Sequence, residues 1–493
     1  MSVPKLIYAS LAVLLCATAA AGTPAYQPFP KGYGYLEPAE TRALQEAVKK
    51  GDNAVVRAHG WRLWAGIMQP AAGLDWPVWY TWPNGTDAFA EPAPLSANGA
   101  ENTAANTSGK PPPKRRIGRL GASTLTPVNL KNTPAYPVPA QVIAAYPGAM
   151  LRTQEGTVTI RDGRHFAFNG DIMIATESLS KEALDFIRDP RQPVYRQSTL
   201  DTLYSKDDPS KRVHNLNAPA SYVVTKHMYW PVKAKGLSAL PVWRDDFSAT
   251  YTGYAGYEKW HTVVALDPGG KQVGQMAKVS YLHGLYRHDG STPWPTITKL
   301  AKVHGLQDFY HHQVSEADWA SFDEADKAII NAASYWLNGQ PFGAGDYLVT
   351  VAMHINTKEI PSWGLQSVWW SDRPDSMPYA ANRPAKLDAR GPWKHYLLTE
   401  AYGIPEKGNP ALLPVATNPY IELVTHPVGT SCYTCHANAG WPASFKAMTP
   451  GVASYQNPQC PNLRASLNPR SPCLASFTLT DFQWIIPDRA VGN

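Results

Sequence analysis

The sequence predicts an α+β protein in which short strands and helices follow one another in mixed order. Runs rich in β-branched and aromatic residues start near Thr157 and recur as far as Trp370. Segments with apolar residues at helical spacing precede and interrupt those runs. Neither a regular strand–helix alternation nor an internal repeat organises them, which argues against a parallel α/β fold or a solenoid.

The elements can be justified in chain order. Lys5 followed by the apolar stretch Leu6 to Ala21, with Ala17-Thr18-Ala19 and Ala19-Ala20-Ala21, reads as a cleaved signal peptide over residues 1–21. Cys16 follows Leu15, a poor context for lipid attachment. The expected location is therefore the periplasm, with no membrane span once the signal is removed. Residues 22–92 form a helical, Trp-rich segment. Pro38 suits the first turn of a helix ending at Gly51, and Ala54 to Met68 continues as a second helix with Trp61 and Trp64 on one face. Residues 93–127, with Pro111-Pro112-Pro113, read as a linker or insertion.

The body spans 128–410. Strands are expected at 157–160, 166–174, 221–232, 262–266 and 272–281, with the turn Asp267-Pro268-Gly269-Gly270 joining the last two as a hairpin. A capping pattern at Ser321-Phe322-Asp323-Glu324 opens a helix carrying Ile329, Ile330, Ala333, Trp336 and Leu337 before Gly339. Strands follow at 346–356 and 365–370, then a short helix from Trp393 to Tyr402. Residues 411–493 form a final, mostly loop and helix segment.

Composition narrows the function. Charged residues are 17% of the 493, aromatics 11%, and there are 17 Trp, 25 Tyr and 45 Pro. That is no disordered or coiled-coil chain. A formal net charge of +6 over this length gives no case for nucleic acid, and the cluster Lys114-Arg115-Arg116 with Arg119 reads as a solvated part of the linker. Phosphate loops, nucleophile elbows and zinc-protease helices are absent from the sequence.

Removing the signal leaves Cys432, Cys435, Cys460 and Cys473, all within the last 62 residues. Cys432-Tyr433-Thr434-Cys435-His436 is a Cys-x-x-Cys-His motif. Two thiols at this spacing can form thioethers with the two vinyl groups on one haem edge, and the adjacent histidine is then held under the iron. Chance supplies such a match about once in a thousand shuffled chains of this composition. A thioredoxin-type dithiol lacks its βαβ setting here. A four-cysteine zinc site is poorly served by the 12 residues between Cys460 and Cys473. With haem on Cys432 and Cys435, the pair Cys460 and Cys473 is expected to close a structural disulfide.

Through Ser431 to Ala437 the chain resembles the c-type cytochromes. The resemblance implies one covalent haem c, His436 as proximal ligand, and electron transfer with a periplasmic redox partner protein. It covers the motif alone. In small cytochromes c a distant methionine fills the other axial position, whereas here 57 residues follow His436 and Met448 is the only methionine among them. The body with Met353-His354-Ile355-Asn356-Thr357-Lys358-Glu359 and a C-terminal haem motif also resembles large exported cytochrome-c-family proteins. His354, on an expected strand, and Met448 are the candidates for the distal position, His354 doubling as an acid–base residue. His426, His227 and the pair His311-His312 are weaker candidates. Two other readings stay open: a haem c-dependent oxidoreductase or small-ligand sensor with an open distal site, and a ligand-binding module with a structural disulfide or metal site.

Overall fold

The computed structural model of the chain describes residues 25–73, 77–90, 134–135, 138–152, 158–160, 174–244, 260, 262–281, 286–287, 296–385, 391–402, 416, 418–423, 432, 436–437, 439–442 and 474–492. The segment expected to be a signal peptide, 1–21, and the segment 93–127 expected to be a linker or insertion lie outside these residues.

Strand β12, Tyr347–Thr357, is buried along almost its whole length. Its run of Val, Thr, Ile and Tyr without Gly or Pro suits a strand with neighbours on both sides. β5 (Val223–Val232) pairs with one edge and β13 (Gly364–Trp370) with the other, both antiparallel. With β14 (Tyr396–Tyr402) and β4 (Ile174–Leu179) the order is β14-β13-β12-β5-β4, and β11 (His311–Gln313) pairs with the start of β12.

A second sheet has the order β6-β7-β10-β8, from β6 (Ser238–Val242), β7 (Thr262–Leu266), β8 (Met276–Tyr281) and β10 (Ile297–His304). The hairpin expected at Asp267-Gly270 is not formed. The turn itself is present, with Gly270 N donating to Asp267 O at 3.1 Å. However, residues 272–275 extend the turn rather than the strand, and β10 inserts between β7 and β8, parallel to the first and antiparallel to the second. Three two-stranded pairs complete the strands among the described residues: β1 (Pro134–Ala135) with β9 (Tyr286–Arg287), β2 (Met150–Arg152) with β3 (Val158–Ile160), and β15 (Gly440–Trp441) with β16 (Thr478–Leu479). The strand expected at 166–174 is described only from Ile174, where β4 begins and runs on to Leu179.

Helices α1 (Pro38–Lys50) and α2 (Asn53–Ile67) form where expected. Gly51, at φ 71°, closes α1 in a conformation that glycine adopts without a Cβ clash. The Asp52 carboxylate caps α2 by accepting from the amides of Ala54 and Val55. Trp61 and Trp64 are both fully buried, with Trp64 stacked on Trp393 at 5.1 Å, so α2 covers one face of the central sheet at β14. Short helices α3 (Gly85–Phe89), α4 (Ala140–Ala145), α5 (Lys181–Ile187), α6 (Gln197–Tyr204) and α7 (Glu316–Ser321) precede the long α8 (Glu324–Asn338). The capping signal read at Ser321 belongs elsewhere: Ser315 boxes the start of α7, and Asp323 caps α8 by accepting from Asp326 N at 2.7 Å. The last helix is α9 (Ile485–Arg489).

The helix expected over 393–402 is also corrected. A 3-10 turn at Gly391–His395 leads into β14, whose every residue from Tyr396 to Tyr402 is buried. Its seven cross-strand partners on β13 outweigh a helical spacing of Leu397, Leu398 and Ala401. Among the described residues, no helix is long and apolar enough to cross a membrane.

Candidate haem-attachment site

The described part of the motif sits where the C-terminal segment folds back over the central sheet. Cys432 is buried, its amide donating to Ala416 O at 2.7 Å. Gly440–Trp441 pairs antiparallel with Thr478–Leu479, and Thr480 N extends the ladder to Ala439 O at 2.9 Å. The chain then turns sharply. Asp481 and Phe482 have φ of 51° and 66°, the signs of a type I′ turn, and Gln483 N closes it on Thr480 O at 3.1 Å.

That turn presents the Phe482 carbonyl to His436, whose Nδ1–H donates to it at 2.7 Å. The bond fixes the tautomer: in the neutral ring, Nε2 carries the lone pair. Metal-binding histidines commonly have their second nitrogen tied in this way. Non-glycine residues in the left-handed region cost on the order of 1–3 kcal/mol each and concentrate at functional sites. A third such residue, Trp363 at φ 62°, lies against the turn, its indole stacked on the Phe482 ring at 6.3 Å.

Register decides which face of the sheet the motif covers. Residues directly opposite on antiparallel neighbours share a face, as do residues two apart along a strand. Leu179, Val224, Asn356, Leu365 and Ala401 form one such row across the five strands. All but Asn356 belong to the same buried cluster as Cys432, Ala437 and Phe482. The next row on that face is polar: Glu177, Lys226, His354, Ser367 and Thr399. Beyond it the face turns apolar again with Ala175, Met228, Ala352, Trp369 and Leu397. Asn418 Nδ2 covers part of the polar row by donating to Ser367 Oγ at 2.7 Å, and Arg489 pairs with Glu177 at 2.8 Å. His354, 8% exposed, thus shares a sheet face with the motif.

The other histidines separate clearly. His227 projects from the opposite face, stacked on Trp79 at 3.5 Å with Nε2 at 2.8 Å from Thr225 Oγ1, a core role. His311 donates to its near neighbour Phe309 O, and His312 pairs with Asp318 at 3.3 Å, both at the far end of β12. Cys435, Met448, His426, Cys460 and Cys473 lie outside the described residues. Sequence reasoning missed Asp481, Phe482, Lys226 and Glu177. The left-handed turn left little trace, because Thr480-Asp481-Phe482-Gln483 contains no glycine.

These residues fit a haem. The described donor is a tautomer-fixed imidazole, and Cys432 belongs to a buried apolar and aromatic cluster that includes Trp363 and Tyr222. Among the described residues, no group of three or more His, Cys, Asp and Glu side chains could hold a bare metal ion. No family model, no curated protein and no solved structure matches the chain.

Proposed function

We propose that the chain is a periplasmic monohaem c-type cytochrome-family protein that transfers electrons to and from a partner protein. Cys432 and Cys435 would carry the haem as thioethers and His436 would be the proximal ligand. The observation that carries the reading is the bond from His436 Nδ1 to the Phe482 carbonyl, within a Cys-x-x-Cys-His sequence. When bound, the haem supplies a one-electron iron couple. The chain's part would be to offer the Nε2 lone pair of His436 to the iron, to back that ring with the packed Phe482 and Trp363 side chains, and to supply a second ligand from His354 or Met448. The signal peptide and the Cys460–Cys473 disulfide belong to the same reading.

A second reading is favoured by the polar row. Lys226 and Ser367 flank His354 in a polar row that lies between two largely apolar ones, an arrangement suited to receiving a small polar ligand at an open iron site, as in an oxidoreductase or sensor.

One experiment separates the readings. The protein is exported with haem maturation, stained for haem after denaturing electrophoresis, and its spectrum recorded with and without carbon monoxide. Covalent haem that ignores carbon monoxide supports electron transfer. Covalent haem that binds it readily supports the open site. No covalent haem in the wild type, or covalent haem retained after the double substitution Cys432→Ala and Cys435→Ala, overturns the proposal.

A further inference from the structure

We propose that Asp481 is a positioning residue for His436, acting through the adjacent Phe482 carbonyl; this rests on the haem reading above. The Asp481 carboxylate is 1% exposed and fully engaged. Oδ1 accepts from Lys358 Nζ at 2.8 Å and from Trp363 Nε1 at 3.0 Å, while Oδ2 accepts from Ala218 N at 2.9 Å. Three donors from two separate stretches of the body, Ala218 and the β12–β13 connection with Lys358 and Trp363, therefore clamp one side chain. The next residue along the chain points its carbonyl at His436 Nδ1.

The backbone explains why a clamp is needed. Asp481 tolerates a left-handed φ, but Phe482 occupies a position where type I′ turns prefer glycine or asparagine. Left to local preference, this turn would relax and swing the Phe482 carbonyl off the imidazole. The carboxylate anchors hold one end of the turn, and the stacking of Phe482 on Trp363 holds the other. Trp363 takes part in both restraints and is itself left-handed. A local rule broken at adjoining positions, with buried charge to enforce it, marks a place where geometry is set for a purpose. The purpose fits the imidazole. A firmly held acceptor on Nδ1–H draws the proton away, makes Nε2 a stronger donor and favours ferric iron.

The test uses the haem-loaded full chain and the variants Asp481→Asn, Lys358→Met and Trp363→Phe. Readouts are haem staining, the reduction potential and the hyperfine-shifted proton resonances of the His436 ring. Expected for Asp481→Asn is retained covalent haem, moved ring resonances and a loss of ferric preference of about tenfold, a positive shift of about 59 mV for one electron. Lys358→Met and Trp363→Phe should shift both readouts the same way by less. If Asp481→Asn does not fold, these two variants decide the question. Unchanged potential and resonances in folded variants, however low their melting temperatures, reduce Asp481 to a structural role and overturn the inference. A wild type without covalent haem overturns the haem reading separately. The positioning claim is then read from ring-nitrogen NMR shifts, and a His436 tautomer unchanged between wild type and Asp481→Asn overturns it.

Discussion

His59 and His436 each commit Nδ1 to an oxygen, with opposite consequences. His59 is wedged between Glu40 at 2.8 Å and Glu359 at 3.0 Å. Burial alone would push its pKa down, but the two carboxylates outweigh it and hold the ring up at about 9. The ring is therefore a charged, structural imidazolium. Its contribution to stability is fully present below the unfolded value of about 6.5 and is lost as pH rises through about 9. Glu400 acts in the same direction. Burial raises it to about 7 despite Arg57 at 2.9 Å, so the folded state favours its proton and loses stability as pH climbs from 4.5. The melting temperature is thus expected to fall by several degrees between pH 6 and 9.5. His59→Gln should be less stable at pH 6 and show a flatter profile; an unchanged slope in that variant would refute the assignment. Two further substitutions test the sheet faces. His354→Ala should alter the visible spectrum of the haem-loaded protein. His227→Ala should lower stability, having removed the ring stacked on Trp79, and leave that spectrum alone. Equal spectra for both would remove His354 from the iron. The motif residues themselves were legible, because Cys-x-x-Cys-His is contiguous in sequence. Asp481 was not, since its meaning comes from Lys358, 123 residues away.

At the scale of elements, legibility followed the strength of the local signal. α2, α8, β5 and β12 carry long periodic or β-branched runs and were readable. β14 was misread because a strand buried on both faces shows no alternation, and Tyr-Leu-Leu-Thr-Glu-Ala-Tyr can imitate one helical turn after another. α5 and α6 were assigned no element from the sequence, although Ser180 caps the first by accepting from Ala183 N at 3.2 Å. The start of β13 offers a sharp test of strand packing. A Cβ on Gly364 would run into the Tyr402 ring on β14, and that ring is fixed by Gln366 at 2.5 Å. Gly364→Ala should destabilise by about 1–3 kcal/mol in chemical denaturation, as overpacked cores do. No loss would mean that the ring gives way freely. Asp323→Ala should cost about 1 kcal/mol by uncapping α8, with Ser321→Ala nearly neutral; the reverse order would restore the earlier reading of the cap.

Across the whole molecule, the C-terminal segment behaves as a clasp. Leu216 N meets Leu479 O at 2.8 Å, Gln197 N meets Val491 O at 3.0 Å, Arg212 reaches Ala475 O, and Arg489 reaches Glu177. Hydrogen exchange should therefore be slowest in β12 and β5 and much faster in β8, an edge strand with Met276 57% exposed. Comparable protection in β8 would imply a covering partner. The clasp also orders events in time. His436 precedes Phe482 by 46 residues, so during synthesis the motif emerges while its carbonyl acceptor is still to come. Under the haem reading, attachment enzymes meet an open, flexible target, and the left-handed turn closes afterwards over a finished cofactor. Maturation would then be the step that admits the haem, and the final fold the step that makes its release unnecessary to guard against.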